Sequence, residues 1–225
     1  MSSLIIKSFL GLAFLLLVLA LALFIPAGTL SFWLAWVYLA VFGVCVLLIT
    51  AYLVRYDQSL LASRVKAGPV AETQKTQQVI QGLASLFFIG LYIVAGLDYR
   101  FGWSYLPLAL SLAAEGFVAL GFFIVFLVSR ENTFTSAIIE VADEQKVISS
   151  GPYGVVRHPM YAGAFLLLIF TPLALGSWVA LPFILPLILT IIVRLLEEEK
   201  FLSANLSGYA AYRQKVGYRL IPFIW

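Results

Sequence analysis

The sequence has little charge and almost no cysteine or histidine. Charged residues make up 11% of its 225 positions, whereas soluble domains carry about 25%. A water-soluble fold cannot bury a chain that is 63% apolar, because too many residues would face water. Cys45 and His158 are the single cysteine and histidine, so a disulfide framework and a zinc site built on Cys and His are both excluded. The net charge of +3 is too small to indicate nucleic-acid binding.

Long apolar runs dominate the chain instead, and the mean hydropathy is +1.03. A helix needs roughly 20 apolar residues to cross a bilayer. We therefore predict an all-α integral membrane protein with about six transmembrane helices. The predicted spans are residues 4–25, 30–54, 79–97, 105–128, 162–175 and 178–193. The last two spans are short and separated only by Gly176 and Ser177, so we expect them to form a helical hairpin.

The basic residues predict the orientation in the membrane. With six spans, every Lys and Arg except Arg100 falls on one side. Basic residues accumulate on the cytoplasmic side of membrane proteins, so both termini are expected in the cytoplasm. The long connections lie on that same side, and long loops held by a rigid scaffold commonly carry function. Any chemistry is therefore expected there, mostly in the C-terminal half.

Residues 151–163 form the densest group of reactive and flexible residues in the chain. Pro159 can open a helix at its first turn, and the free N–H groups of that turn would form an anion site beside Arg157 and His158. Gly163 would let a ligand approach the backbone closely. The same residues are equally consistent with a simple turn at the membrane surface.

A second group lies at the end of the last predicted span, where Arg194 precedes Glu197, Glu198 and Glu199. Arg194 and Glu198 are four residues apart and share a helix face, whereas Glu199 is expected to point elsewhere. The run could be an ordinary charged segment with an internal ion pair. Three carboxylates on the positively charged side of a membrane nevertheless require a cation. A ligand with an ammonium or sulfonium group would supply one.

The predicted hairpin joins the two groups into one pocket. Because the hairpin closes on the far side of the membrane, its two cytosolic ends must be neighbours. The residues expected to face each other there are Arg157, His158 and Tyr161 on one helix and Arg194, Glu197 and Glu198 on the other. His158 could act in such a pocket as a base, a donor or a polar contact.

Several motifs between residues 132 and 222 keep the order and spacing of a known family. They are Asn132-x-Phe134, Gly151-Pro-Tyr153, Arg157-His-Pro-x-Tyr-x-Gly163, Arg194-x-x-x-Glu-Glu, Gly208-Tyr-x-x-Tyr212 and Leu220-Ile-Pro222, with a strand-like stretch at residues 138–148. In these motifs the chain resembles the isoprenylcysteine carboxyl methyltransferase family, to which the membrane phospholipid N-methyltransferases are related. The first three spans carry no such motif.

The resemblance implies a membrane methyltransferase that uses S-adenosylmethionine, without a metal, on a lipid-like or prenylated acceptor from the bilayer. Residues 1–128 would form about four N-terminal helices. Residues 129–225 would form the catalytic region, with the hairpin, a C-terminal cytosolic helix and a cytosolic cofactor pocket. The cofactor contacts that the resemblance implies are Tyr153, Arg157, His158, Tyr161, Gly163, Glu197 and Glu198.

Three positions are candidates for catalysis, namely Arg194, Tyr161 and Glu198. Arg194 suits an acceptor carboxylate, since arginine binds carboxylates through two parallel hydrogen bonds. Tyr161 would lie beside that carboxylate. If the acceptor were an amine instead, a base would be needed, and Glu198 could serve.

Other functions remain open from the sequence. The acceptor could be a prenylcysteine carboxylate, an isoprenoid acid, a phospholipid amine or a small thiol. A sterol-reductase-like enzyme that uses NADPH would need more basic residues for the 2′-phosphate. A non-catalytic membrane module or transporter would not bind S-adenosylmethionine tightly. Glu115 in the fourth span is either functional or a neutral carboxyl bonded to a neighbouring helix.

Overall fold

The computed structural model describes residues 2–66, 68–72, 74–141 and 145–225. Across these ranges the chain forms helices, short 3₁₀ turns and loops, with no β-strand, so the all-α prediction is confirmed for them. The strand-like stretch expected at residues 138–148 is an irregular loop where it is described; residues 142–144 lie outside the described ranges. The helices are α1 (Ser2–Ala27), α2 (Trp33–Tyr56), α3 (Gln58–Val65), α4 (Lys75–Phe101), α5 (Leu108–Glu131), α6 (Pro159–Ala174), α7 (Ile184–Asn205) and α8 (Tyr209–Lys215).

Four of the described helices are long and apolar enough to cross a membrane. They are α1, α2, α4 and α5, and they correspond to the first four predicted spans. Their outward surfaces are apolar: Phe14 of α1 and Leu48 of α2 are 68% and 64% exposed. This pattern is that of a multi-pass membrane protein. The apolar α6 is shorter, with 16 residues, and α7 carries the charged run in its second half. A total of six spans therefore remains a prediction.

The turn between α6 and α7 is fastened to the end of α4. Asp98, which is 2% exposed, accepts hydrogen bonds from the amide of Ser104 at 2.7 Å and from its hydroxyl at 2.6 Å. It also accepts one from the hydroxyl of Ser177 in the α6–α7 turn. This closure keeps the two helices antiparallel. The start of α6 and the end of α7 therefore lie at the same end of the bundle.

A very close helix contact joins α5 to α6. A Cβ atom built on Gly163 would lie 2.9 Å from the carbonyl oxygen of Gly121. A Cβ built on Gly121 would lie 2.8 Å from a side-chain carbon of Leu167. Only glycines allow the two backbones to come this close. Gly163 thus lies in a helix–helix contact, which fixes the position of the first turns of α6.

A small polar group lies inside the apolar core. The hydroxyls of Tyr38 and Tyr92 are 2.6 Å apart, and Tyr38 also contacts the hydroxyl of Thr171 at 3.0 Å. Glu115 is 5% exposed, and within the described residues neither of its carboxyl oxygens has a hydrogen-bond partner. The expected bond between Glu115 and a neighbouring helix is therefore not observed.

Candidate active site

A cavity of about 290 Å³ lies where α6 begins and α7 ends. This volume is near the lower end of small-molecule sites, roughly 300–1,000 Å³. Its walls come from the end of α3, the loop after α5, the turn Gly151–Gly154, the first residues of α6, the last turns of α7, and α8. The predicted site residues that line it are Tyr153, Arg157, His158, Tyr161, Arg194 and Glu198. Gly163 and Glu197 are not among its lining residues.

Tyr161 and Glu198 join the two helix ends across the cavity. Pro159 opens α6 at its first position, as its fixed φ and missing N–H favour. This places Tyr161 in the first turn, where its hydroxyl donates to Glu198 Oε2 at 2.6 Å. Within the described residues no Lys, Arg or His lies within salt-bridge distance of Glu198. Its carboxylate is held by a neutral donor and faces a cavity.

Arg194 does not pair with Glu198, although the two share a helix face. Its Nη1 donates to Glu72 Oε1 at 2.7 Å and to Gln77 Oε1 at 3.1 Å, and its Nη2 donates to the carbonyl of Ala137 at 2.9 Å. The internal ion pair considered for Arg194 and Glu198 is therefore wrong. Arg194 instead ties the loop after α5 to the connection before α4.

Glu199 was expected to point away, and this expectation is wrong. Its carboxylate is 3% exposed and accepts hydrogen bonds from Arg157 Nε at 2.7 Å and Arg219 Nε at 3.0 Å. His158 Nε2 lies 3.3 Å from the same carboxylate. Burial raises the pKa of Glu199, but the hydrogen bonds from His158, Arg219 and Arg157 outweigh burial and hold the pKa at about 2. The protein itself supplies the cations that compensate this carboxylate.

The last residues of the chain fold against the same turn. The amides of Arg157 and His158 donate to the carbonyls of Tyr218 and Arg219 at 2.9 Å each. The guanidinium of Arg219 lies 5.2 Å from the ring centre of Trp225. A second arginine contact continues this attachment, since Arg157 Nη1 donates to the carbonyl of Val216 at 3.0 Å. Arg157 and His158 are thus held in place from several directions.

Aromatic side chains complete the cavity wall. Tyr153, Tyr209 and Tyr212 all line it, and the Tyr212 hydroxyl donates to the carbonyl of Tyr153 at 2.8 Å. Burial raises the pKa of Tyr212 to about 12 and raises the pKa values of Tyr153 and Tyr209 further above their ordinary range. These phenols are therefore neutral donors at physiological pH. The hydroxyl of Tyr209 is buried without a hydrogen-bond partner within the described residues.

Sequence reasoning missed four residues at or beside the cavity. Arg64 lines it from the end of α3, Glu72 holds Arg194, and Glu199 and Tyr209 have the roles given above. The partners of Arg64 and Glu72 lie about one hundred residues or more along the chain. No local pattern connects such distant positions.

The fold defines a class of protein: it is a helical membrane protein with a cavity at one end of its helix bundle. Residues 109–207 match the family model described as phospholipid methyltransferase. The matched segment is fewer than half of the 225 residues and includes the predicted site positions but not Arg64, Glu72 or Arg219. This segment therefore resembles membrane methyltransferases. The family that it matches is not that of the isoprenylcysteine carboxyl methyltransferases. No curated protein matches the chain.

Proposed function

We propose that the chain is a membrane methyltransferase that uses S-adenosylmethionine and methylates a lipid-like acceptor at this cavity. The supporting observation is Glu198, a carboxylate that lines the cavity with a tyrosine hydroxyl as its donor and no cationic partner within the described residues. Such a carboxylate matches a ligand with a positive charge. The match of residues 109–207 supports methyl transfer as the reaction.

The remaining lining residues fit the other parts of this donor. Tyr153, Tyr161, Tyr209 and Tyr212 surround the cavity with aromatic faces, which attract cations by about 0.5–2 kcal/mol and can stack on an adenine ring. The hydroxyl of Tyr209 has no hydrogen-bond partner within the described residues, which makes it a candidate donor to a ligand. When bound, S-adenosylmethionine supplies an electrophilic methyl group on a sulfonium sulfur.

The residues around the cavity act mainly by positioning. Alignment of two reactants can contribute ~7–11 kcal/mol to a reaction between them. Tyr161 fixes the side chain of Glu198, and the cluster around Glu199 fixes the start of α6. We assign Arg194 a positioning role as well, since both of its Nη atoms already donate to groups of this chain. These contacts use three of the five N–H donors of the guanidinium.

We favour the amine of a phospholipid headgroup as the acceptor. Transfer to an amine forms an N–C bond as the donor's S–C bond breaks, and the nitrogen must first lose its proton. Glu198 is a cavity carboxylate that can take that proton at either oxygen, and Tyr161 holds it in place; Glu140 also lines the cavity, in the loop after α5. The description of the matched family and the prior engagement of Arg194 support this choice.

Carboxyl methylation is the second candidate, supported by the motifs that resemble the isoprenylcysteine carboxyl methyltransferases. Transfer to a carboxylate forms an O–C bond without any proton movement, so Glu198 would then serve only to bind the donor. Membranes that contain the chain can be incubated with S-adenosylmethionine labelled in its methyl group. Label that stays non-volatile after mild base indicates N-methylation, because the N–C bond survives, whereas label released as volatile methanol indicates a methyl ester.

Donor binding tests the proposal as a whole. Glu198→Gln should weaken S-adenosylmethionine binding by about 1.5–3 kcal/mol, since a charge-assisted hydrogen bond is lost. Glu197→Gln is the matched control, because Glu197 belongs to the same run of carboxylates and does not line the cavity. Titration of the purified chain with S-adenosylmethionine and with NADPH also separates the methyltransferase from the reductase. Absence of donor binding, or equal binding by Glu198→Gln, would refute the proposal.

A further inference from the structure

Arg64 lies in the last turn of α3 and lines the cavity, although α3 belongs to the part of the chain without a motif. Its Nη2 donates to the sulfur of Met160 at 3.6 Å, and its buried Nε has no hydrogen-bond partner in the described part of the chain. A thioether is a weak, uncharged acceptor. Within the described residues, no carboxylate lies within salt-bridge distance of Arg64.

The other arginines of the cavity differ from Arg64 in this respect. Arg157 pairs with Glu199 at 2.7 Å, and Arg194 pairs with Glu72 at 2.7 Å. A cation removed from water without a counter-charge destabilises the fold. Burial lowers the pKa of the Arg64 guanidinium, and Tyr153, Tyr161 and the carboxylate of Glu198 around the same cavity oppose this shift only in part. A fold that keeps such a group beside a cavity has a cation available for a ligand.

A second positive group lies at the same place. The first hydrogen bond within α6 runs from the amide of Ala162 to the carbonyl of His158, so the amides of Met160 and Tyr161 precede it and have no acceptor within the helix. With 16 residues, α6 has a partial positive charge at this end. Because Arg64 contacts Met160, its guanidinium lies beside the N-terminus of α6.

We propose that Arg64, together with the N-terminus of α6, binds an anionic oxygen group of the ligand, a carboxylate or a phosphate. Glu198 lines the same cavity and would take the cationic group of the same molecule. The pair would recognise a zwitterion whose two charges lie a few bonds apart. The identity of that zwitterion rests on the proposed function. The amino-acid end of S-adenosylmethionine and the phosphoethanolamine headgroup of a phospholipid both have this form.

Titration of the full chain in detergent tests the proposal with three ligands. They are S-adenosylmethionine, its decarboxylated analogue, which keeps the cations and lacks the anion, and a short-chain phosphatidylethanolamine. Arg64→Leu should raise the Kd of at least one anionic ligand by about 10- to 100-fold, the range for a charge-assisted hydrogen bond. Arg64→Lys should raise the Kd less, since lysine keeps the positive charge and loses only the paired N–H donors of the guanidinium. Lys66→Gln, an exposed position two residues away, should leave every Kd unchanged.

The pattern of losses identifies the source of the anion. If Arg64 binds the donor carboxylate, Arg64→Leu weakens S-adenosylmethionine and leaves the decarboxylated analogue unaffected. If Arg64 binds the lipid phosphate, only the phospholipid is weakened. Folding should be preserved or improved in Arg64→Leu, because the hydrogen bond that it loses within the described residues is a weak one to a thioether. A lower midpoint of thermal unfolding with unchanged Kd values would overturn the proposal in favour of a packing role.

The same titrations separate this inference from the function on which it rests. If the unaltered chain binds no S-adenosylmethionine but its affinity for phosphatidylethanolamine falls in Arg64→Leu, the methyltransferase proposal fails and the anion site stands. If the unaltered chain and Arg64→Leu bind both the donor and the phospholipid equally well, the anion site fails and the methyltransferase proposal stands. Binding of none of the three ligands refutes both.

Discussion

Neutralising Glu199 should release the end of the chain from the start of α6. Its carboxylate is 3% exposed and lies between Arg157 at 2.7 Å, Arg219 at 3.0 Å and His158 at 3.3 Å. Glu199→Gln keeps the shape of the side chain and removes the counter-charge of both arginines. Breaking a buried pair costs about 3–5 kcal/mol, and the partly exposed Arg219 points to the lower end, about 3 kcal/mol. Thermal unfolding in detergent at pH 7 would measure this loss.

The pH dependence of that loss is a stricter test. The folded-state pKa of Glu199 is about 2, below its ordinary value of 4.5. A carboxyl with a depressed pKa stabilises the fold fully above its unfolded value, and the stabilisation is lost as pH falls toward the folded value. The difference in stability between the unaltered chain and Glu199→Gln should therefore be constant above about pH 5 and shrink between about pH 4.5 and 2.

Two outcomes would refute this account of Glu199. One is a Glu199→Gln variant as stable as the unaltered chain at pH 7. The other is a stability difference that persists unchanged at pH 3. Glu197→Gln is the matched control and should change stability by less than about 0.5 kcal/mol, as is usual for a side chain outside such a cluster. Hydrogen exchange at residues 216–225 should accelerate in Glu199→Gln and not in the control.

Three further predictions follow from the packing and the charge pattern. Gly163→Ala should destabilise the chain by about 1–3 kcal/mol in thermal unfolding, because its Cβ would meet a backbone oxygen of α5 at 2.9 Å. Gly116→Ala is the control, since a Cβ there would lie in open space. A raised donor Kd at unchanged stability would instead support the ligand contact that the sequence predicts for Gly163. Glu115→Leu should leave the stability of the chain equal or higher, since both carboxyl oxygens lack hydrogen-bond partners within the described residues. A large loss of stability would contradict this prediction. Ala204→Cys in a Cys45→Ala background should react with an impermeant thiol reagent only from the cytosolic side, as the distribution of basic residues requires, and labelling from outside intact cells would contradict the predicted orientation.

Much of the fold was accessible from the sequence because it depends on local composition. Apolar runs of sufficient length predicted the four long helices, and the break at Gly176 and Ser177 predicted the reversal between α6 and α7. That reversal alone implied that Tyr161 and Glu198 would approach each other, and their oxygens are 2.6 Å apart. The spacing of residues within one helix and a single tight turn were sufficient for this inference.

The charge partners depended on tertiary structure. Helical spacing placed Arg194 and Glu198 on one face, but Arg194 pairs with Glu72, which is 122 positions away in the chain. Glu199 was placed on an opposite face, yet the segment that ends at Trp225 returns to cover that face and brings Arg219 to it. A guanidinium pairs with whichever carboxylate is brought within a few ångströms as the helices pack and water is excluded. Helical periodicity determines which side chains share a face, and only the packing of distant segments determines what that face meets.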